Sequence, residues 1–239
     1  MTVQTRTIEY SHDGLVFEGL LAWDDEALTP GAAVAVAHTW AGRGDFEVSK
    51  ALELAECGYV GFAIDLYGKG VLGKTPEENA GLMAPLMQDR GLLQRRIGAA
   101  ITVLQEQPEV DSASIAAIGY CFGGLCVLDL ARSGSDVKGV VSFHGLFSPP
   151  ETPAGNTITA KVLCLHGYDD PMADPEAMVA LAAELTAAGA DWQIHAYGNT
   201  VHAFTNPAAD NPQMGTVYSE SADRRSNQAL MNFLQEIFG

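Results

Sequence analysis

Short, continuously apolar runs recur along the chain, separated by segments whose apolar residues repeat at helical spacing. Runs of this kind are typical of strands that are buried on both faces of a parallel sheet. They occupy residues 32–37, 60–64, 115–118, 140–144 and 162–166. Between them, apolar positions three and four residues apart predict helices. This alternation predicts an α/β fold with a mostly parallel, doubly wound sheet.

The beginning of the chain departs from that pattern. Residues 5–23 alternate in part between apolar and polar side chains and break at Asp13-Gly14, a strong signal for a hairpin turn. An antiparallel hairpin is therefore predicted at one edge of the sheet. Residues 66–90 are rich in glycine and contain two prolines, so we expect an irregular insertion over an active site there.

The chain is long enough to bury a full core as one domain. It has 239 residues, 47% of them hydrophobic, with no internal repeat or linker that would divide them. We therefore predict a single α/β domain over residues 1–239.

The net charge of the chain argues against two classes of binding partner. Thirteen basic residues against 30 acidic ones give a net charge of −17, which argues against nucleic acid or an anionic membrane. The first twenty residues do not read as a secretion signal, and no run has the roughly 18 apolar residues of a membrane helix. These features predict a cytoplasmic protein that acts on a small molecule.

The four cysteines form no C-x-x-C pair, which argues against a structural zinc site. Cys57, Cys126 and Cys164 fall in predicted helices or a strand, where free cysteine is ordinary core filling. Cys121 is different because it lies in Gly119-Tyr120-Cys121-Phe122-Gly123-Gly124, between a predicted strand and a predicted helix. That pattern is a nucleophile elbow, which lifts one reactive side chain above the sheet at a helix N-terminus.

A cysteine nucleophile needs a base, and the base needs a third group to orient it. The α/β-hydrolase order of nucleophile, acid and histidine is matched here by Cys121, Asp170 and His202. Spacing alone does not decide between Asp169 and Asp170, which are adjacent in a turn after a strand. All of these residues follow predicted strand ends, where open α/β sheets bind ligands.

Acyl transfer also needs donors for the oxyanion. The backbone N–H of Phe122, next after the nucleophile, is one by geometry, and the N–H of Trp40 is the best candidate for the second. The remaining histidines at strand ends are expected to be polar rim or supporting groups, because no ligand spacing supports a metal site. They are His38, His144 and His166.

Together these segments resemble the dienelactone hydrolase family of α/β-hydrolases, over essentially the whole chain. The matching segments are Gly119-Tyr120-Cys121-Phe122-Gly123-Gly124, Asp65-Leu66-Tyr67-Gly68, His166-Gly167-x-x-Asp170-Pro171 and Val201-His202-Ala203-Phe204. The resemblance implies a triad of Cys121, His202 and Asp170, an oxyanion hole from Trp40 and Phe122, and hydrolysis without metal or organic cofactor.

Two positions depart from the family pattern. The family glutamate that takes part in thiol activation is replaced by Thr39, which leaves direct pairing of Cys121 with His202 as the simpler hypothesis. An arginine that holds the substrate carboxylate is replaced by Asn206. Thr39 and Asn206 are therefore predicted to lie in a substrate site suited to a neutral or weakly charged ester, lactone or thioester.

The predicted function is hydrolysis of a carboxylic ester or lactone through an acyl-cysteine intermediate. Two alternatives stay open on sequence grounds. The same triad could serve a thioesterase or peptidase, or the chain could be a ligand-binding or regulatory protein that has lost turnover.

Overall fold

The computed structural model describes residues 2–27, 30–151 and 155–239, which fall into two compact units, Met1–Ile118 and Gly119–Gly239. The first unit contains five strands and three helices in its described part. In chain order they are β1 Val3–His12, β2 Leu15–Asp24, β3 Gly31–Ala37, α1 Asp45–Glu56, β4 Val60–Ala63, α2 Pro76–Gln88, α3 Arg90–Gln105 and β5 Val110–Tyr120, whose last two residues belong to the second unit.

The strands of the first unit follow the order β1-β2-β4-β3-β5. The β1–β2 and β2–β4 pairs are antiparallel, and β3 and β4 are parallel. The hairpin prediction is confirmed, because β1 and β2 turn at Asp13 and Gly14, where φ is 50° and 77°. Two successive positive φ angles match the right-handed twist of the strands that they join.

The second unit contains α4 Phe122–Arg132, β6 Gly139–Phe143, β7 Lys161–Gly167, α5 Pro175–Ala187, β8 Trp192–Tyr197, β9 Asp210–Asn211, β10 Thr216–Val217 and α6 Glu220–Phe238. Strands β6, β7 and β8 are parallel neighbours in that order, and β9 pairs with β10 in a short antiparallel ribbon. The α/β class, with a mostly parallel sheet and antiparallel strands at its N-terminal end, is thus confirmed. The single-domain boundary stays a prediction.

Local sequence explains where α5 begins and ends. The Asp174 carboxylate accepts a hydrogen bond from the Ala177 N–H at 2.9 Å, and Pro175 occupies the first helical position. Gly189, with φ of 70°, follows the helix. These are the ordinary signals of a capped helix, and they were readable from the sequence.

The prediction that residues 66–90 are irregular is wrong for the second half of that segment, which forms α2. Its start is encoded by Thr75, whose hydroxyl accepts from the Glu78 N–H at 3.2 Å, and by Pro76 at the first helical position. Gly81 and Pro85 lie inside the helix and lower its intrinsic propensity, which obscured the cap. Among the described helices, none is long and apolar enough to cross a membrane.

One of the three cysteines that were predicted to fill the core is exposed. Cys126 and Cys164 are buried as expected, but Cys57 is exposed. It is the cap residue that follows Glu56, the last residue of α1. A position at the end of a helix therefore did not determine burial, because only one stripe of an amphipathic helix faces the core.

Close packing of α1 on β4 depends on Gly61. A Cβ atom at Gly61 would lie 2.2 Å from the carbonyl oxygen of Ala51, which is backbone and has little room to move. We expect Gly61→Ala to lower the free energy of unfolding by about 1–3 kcal/mol, the usual cost of overpacking. Denaturant unfolding monitored by circular dichroism measures the change.

Gly98→Ala is the matched control. Gly98 lies inside α3, and its Cβ would meet no atom within 4 Å. The same chemical change there should raise stability by about 0.5–1 kcal/mol through helix propensity alone. Equal stability of the two variants would contradict the packing explanation.

Candidate active site

Cys121 lies in a strained turn between β5 and α4. Its φ of 57° is positive, a conformation that side-chain-bearing residues seldom adopt. Two glycines make the turn possible: a Cβ at Gly119 would lie 2.1 Å from the Gly123 carbonyl oxygen, and one at Gly124 would lie 2.6 Å from Ser142 Oγ. Strain of this kind persists only where the surroundings determine the backbone.

Hydrogen bonds hold the turn on both sides of Cys121. Its N–H donates to the Phe143 carbonyl at 3.0 Å and to His144 Nδ1 at 3.2 Å, and its carbonyl accepts from the Gly124 N–H at 3.0 Å. Phe122 is the first residue of α4. The Cys121 side chain is thereby placed at the N-terminal end of a buried helix, where the helix dipole favours an anion.

Asp170 and His202 form a buried hydrogen-bonded pair. His202 Nδ1 lies 2.8 Å from Asp170 Oδ2, and the two side chains are 2% and 0% exposed. The other carboxylate oxygen of Asp170 accepts from the Met172 N–H at 2.8 Å. Asp169, the alternative that the sequence left open, is exposed. The buried carboxylate that faces the histidine is therefore Asp170.

The β9–β10 ribbon holds His202 in place and was missed by the sequence reasoning. The His202 N–H donates to the Gly215 carbonyl at 2.9 Å, and its carbonyl accepts from the Val217 N–H at 3.1 Å. Pro171 packs against Gly215, where a Cβ would lie 2.4 Å from the proline Cγ. The turn that carries Asp170 and the ribbon that holds His202 are thus in direct contact.

The electrostatics of the site favour a protonated His202. Burial works against the charged imidazolium, but the negative charge of Cys121 and the hydrogen bond to Asp170 together raise the pKa of His202 to about 10. A hydrogen bond with the Cys121 side chain contributes to the same rise. Nδ1 is engaged by Asp170, so Nε2 is the ring nitrogen left to exchange a proton with a reacting group.

Two further histidines near this pair are buried and neutral. Burial, together with the neighbouring His202 and His166, holds the pKa of His144 well below its usual value. The pKa of His166 is also lowered, chiefly by burial, and its Nε2 donates to the Ala173 carbonyl at 2.7 Å in the turn after Asp170. In the described part of the chain, no three His, Cys, Asp or Glu side chains converge as a metal site.

Thr39 and Trp40 lie in the loop after β3, in the first unit. The Thr39 N–H donates to Glu47 Oε1 at 3.0 Å, and the Gly44 N–H donates to Glu47 Oε2 at 2.9 Å. Glu47 is a buried carboxylate that the sequence reasoning missed, although a glutamate three residues after a helix cap is a recognisable signal. The parts of Thr39 and Trp40 in catalysis stay predictions.

Asn206 lies in the loop after His202. Its side-chain oxygen accepts from the Ala208 N–H at 2.9 Å, and its own N–H donates to the Ala203 carbonyl at 3.0 Å. The side chain therefore stabilises the local turn. Contact of Asn206 with a substrate stays a prediction, as does donation from Phe122 to an oxyanion.

Comparison with known proteins shows which hydrolases the chain is similar to. The model of the dienelactone hydrolase family matches residues 17–238. A solved structure named m3DLH is 37% identical, with a TM-score of 0.94 and 99% of each chain covered. A dienelactone hydrolase-like promiscuous phosphotriesterase from metagenomic libraries is 34% identical, with the same TM-score and coverage.

A curated relative at lower identity has a lactone substrate in its name. The probable 2-oxo-3-(5-oxofuran-2-ylidene)propanoate lactonase of a Bradyrhizobium species is 23% identical over 219 residues, which cover 85% of this chain and 86% of the relative. The similar proteins therefore include hydrolases named for two substrate classes, a lactone and phosphotriesters.

The contributions of Cys121 and Asp170 to the pKa of His202 can be tested separately by substitution. Removing the negative charge in Cys121→Ala should lower the pKa of His202 from about 10, because burial then dominates. Asp170→Asn should lower it as well, since the anionic partner of Nδ1 becomes neutral. NMR titration of the histidine ring resonances measures both shifts.

Asp169→Asn is the control for Asp170→Asn, because Asp169 is adjacent but exposed. It removes the same charge without touching the His202 ring, so we expect the pKa of His202 to stay near the wild-type value. A shift as large as that of Asp170→Asn would mean that general charge, rather than the buried hydrogen bond, sets the pKa.

Proposed function

Since the chain belongs to the dienelactone hydrolase family, we propose that it cleaves a carboxylic ester or lactone through an acyl-cysteine intermediate at Cys121. The observation that supports this proposal most is the buried Asp170–His202 pair, in which the Cys121 charge helps to raise the pKa of His202 to about 10. On this proposal His202 is the proton donor for the leaving group, and Cys121 is the nucleophile that attacks the substrate.

In the proposed acylation step, Cys121 Sγ attacks the carbonyl carbon and forms a C–S bond. The carbonyl π electrons move to the oxygen, and the oxyanion is stabilised by backbone N–H groups, that of Phe122 among them. Collapse of this intermediate breaks the bond to the leaving oxygen, which takes the Nε2 proton of His202. His202 thus acts first as a general acid, because its proton is already in place.

In the proposed deacylation step, His202 acts as a general base. Neutral His202 accepts a proton from water as the water oxygen attacks the thioester carbonyl, and the C–S bond then breaks to release the acid. The Cys121 thiolate returns and is paired with the imidazolium once more. Asp170 holds Nδ1–H in both steps, so the ring keeps the orientation and tautomer that each transfer needs.

The side chains near Asp170 and His202 in the sequence favour an uncharged substrate with an apolar part. Tyr168 and Met172 flank Asp170 in sequence, and Met214 precedes the glycine that holds His202. All three are large apolar side chains with 41–47% of their surface exposed. Together with the net charge of −17 and Asn206 in place of an arginine, this surface favours neutral esters or lactones over carboxylate-bearing ones.

Intact-mass spectrometry alongside turnover tests the proposal. Wild-type protein is incubated with small activated esters, lactones and thioesters, and Cys121→Ala is the matched control. We expect hydrolysis that depends on Cys121, with a transient adduct of the acyl mass on the wild-type chain. Loss of Cys121 should lower the rate by at least about 10³-fold, the range for removing a triad member.

Two outcomes would overturn the proposal in different ways. Neither adduct nor Cys121-dependent hydrolysis would favour a ligand-binding or regulatory role. Faster turnover of thioesters than of matched oxygen esters would favour a thioesterase with the same triad.

A second candidate function is hydrolysis of phosphotriesters, which the 34% identity to the promiscuous phosphotriesterase favours. There the thiolate would attack phosphorus, form an S–P bond and expel an alkoxide or aryloxide that takes the His202 proton. An activated aryl dialkyl phosphate in the same assay distinguishes the two reactions. The adduct would then carry the dialkylphosphoryl mass, and its rate of hydrolysis can be compared with that of the acyl adduct.

A further inference from the structure

We propose that His144 is a positioning residue that fixes the Cys121 nucleophile relative to His202 through two hydrogen bonds. The inference rests on the proposed function, since it assigns His144 a part in the same site. His144 follows β6, is 2% exposed and has a positive φ of 37°. Side-chain-bearing residues seldom adopt a positive φ, although histidine does so more often than most, and the conformation persists only where the surroundings hold the backbone.

The first hydrogen bond joins His144 to the nucleophile. The Cys121 N–H lies 3.2 Å from His144 Nδ1 and 3.0 Å from the Phe143 carbonyl. A backbone N–H can only donate, so Nδ1 is the acceptor and carries no proton. His144 therefore contributes a side-chain acceptor to the strained turn at Cys121.

The second hydrogen bond follows from the first. With Nδ1 unprotonated, the single proton of the neutral ring is on Nε2, which lies 2.9 Å from Thr205 Oγ1 and donates to it. Thr205 is 3% exposed and lies three residues after His202 in the same loop. The ring thus links the turn of the nucleophile to the loop of the histidine.

The neutral state of His144 is part of this arrangement. Its ring lies edge-on to His202, with ring centroids 5.1 Å apart. A second proton on His144 would place its positive charge next to that of His202. It would also put an N–H on Nδ1, which could no longer accept the hydrogen bond from the Cys121 N–H. Burial, reinforced by His202 and His166, lowers the pKa of His144 and so maintains the acceptor.

Removing the ring should misplace the thiolate without removing any reacting group. Small displacements of a positioned nucleophile cost up to about 10²-fold in rate. The effect should fall on kcat and on the intrinsic reactivity of Cys121, and KM should change little because the His144 ring is 2% exposed and bonded on both nitrogens within the protein.

The experiment compares His144→Gly with His144→Asn in the full-length protein. Both residues tolerate a positive φ, so neither adds backbone strain. Asparagine retains a side-chain acceptor near the Nδ1 position, whereas glycine retains none. The readouts are kcat, KM and the pH profile of Cys121 alkylation by iodoacetamide. Alkylation is followed by peptide mass because Cys57 is exposed, whereas Cys121 is half-buried.

We expect His144→Gly to lower kcat and the alkylation rate of Cys121 at neutral pH by about 10- to 100-fold. His144→Asn should recover most of that loss. Thr205→Val, which removes the second hydrogen bond, should have a smaller effect, and the double variant His144→Gly/Thr205→Val should be no worse than His144→Gly alone. His195→Gly, at an exposed histidine in β8, controls for removal of a histidine.

Several results would overturn the inference. One is wild-type Cys121 reactivity in His144→Gly. Another is an equal loss in the glycine and asparagine variants, or a fall in thermal stability with an unchanged alkylation profile, which would assign His144 a packing role alone. If wild type shows no Cys121-dependent turnover, the proposed function fails, and the alkylation rates still decide whether His144 positions the thiol.

Discussion

The backbone of Cys121 is the constraint on which the site depends. Its positive φ turns the chain sharply from β5 into α4 and exposes one side chain at the start of a buried helix. Sterics make the turn possible, since Gly119 and Gly124 leave room that a Cβ atom would fill. Hydrogen bonding holds it, through the Phe143 carbonyl and the His144 ring. Backbone strain of this kind persists only where the surroundings hold the chain, as these contacts do.

The protonation states of the buried histidines are the second feature of the site. Three buried histidines, His144, His166 and His202, differ in what their neighbours do to their charge. For His202, Cys121 and Asp170 together outweigh the cost of burying a cation. For His166, burial outweighs the charge of Asp170, and for His144 burial and the neighbouring histidines act in the same direction, so the pKa of each is lowered. One imidazolium between two neutral rings gives a single defined proton donor. This separation of protonation states by environment is how acid–base sites assign roles to chemically identical side chains.

Local signals in the sequence were sufficient for much of the fold. Asp13-Gly14 encodes the turn of the hairpin, and Asp174-Pro175 encodes the start of α5, because these residues act through their own backbone preferences. The same reasoning missed α2, where Gly81 and Pro85 masked the Thr75 cap, and it misplaced Cys57 in the core. It also missed β9 and β10, which have two residues each and too few positions to show a period.

The sequence by itself determined the α/β class, the elbow at Cys121 and the order of the candidate nucleophile, acid and histidine, because strand periodicity, glycine spacing and chain order are linear properties. Only the tertiary structure decided that Asp170 rather than Asp169 faces His202, since adjacent residues in a turn point in different directions. It also decided that Glu47, His144 and Thr205 are hydrogen-bonded supports of these loops. Those contacts join residues up to 61 positions apart, and packing sets such distances where spacing along the chain does not.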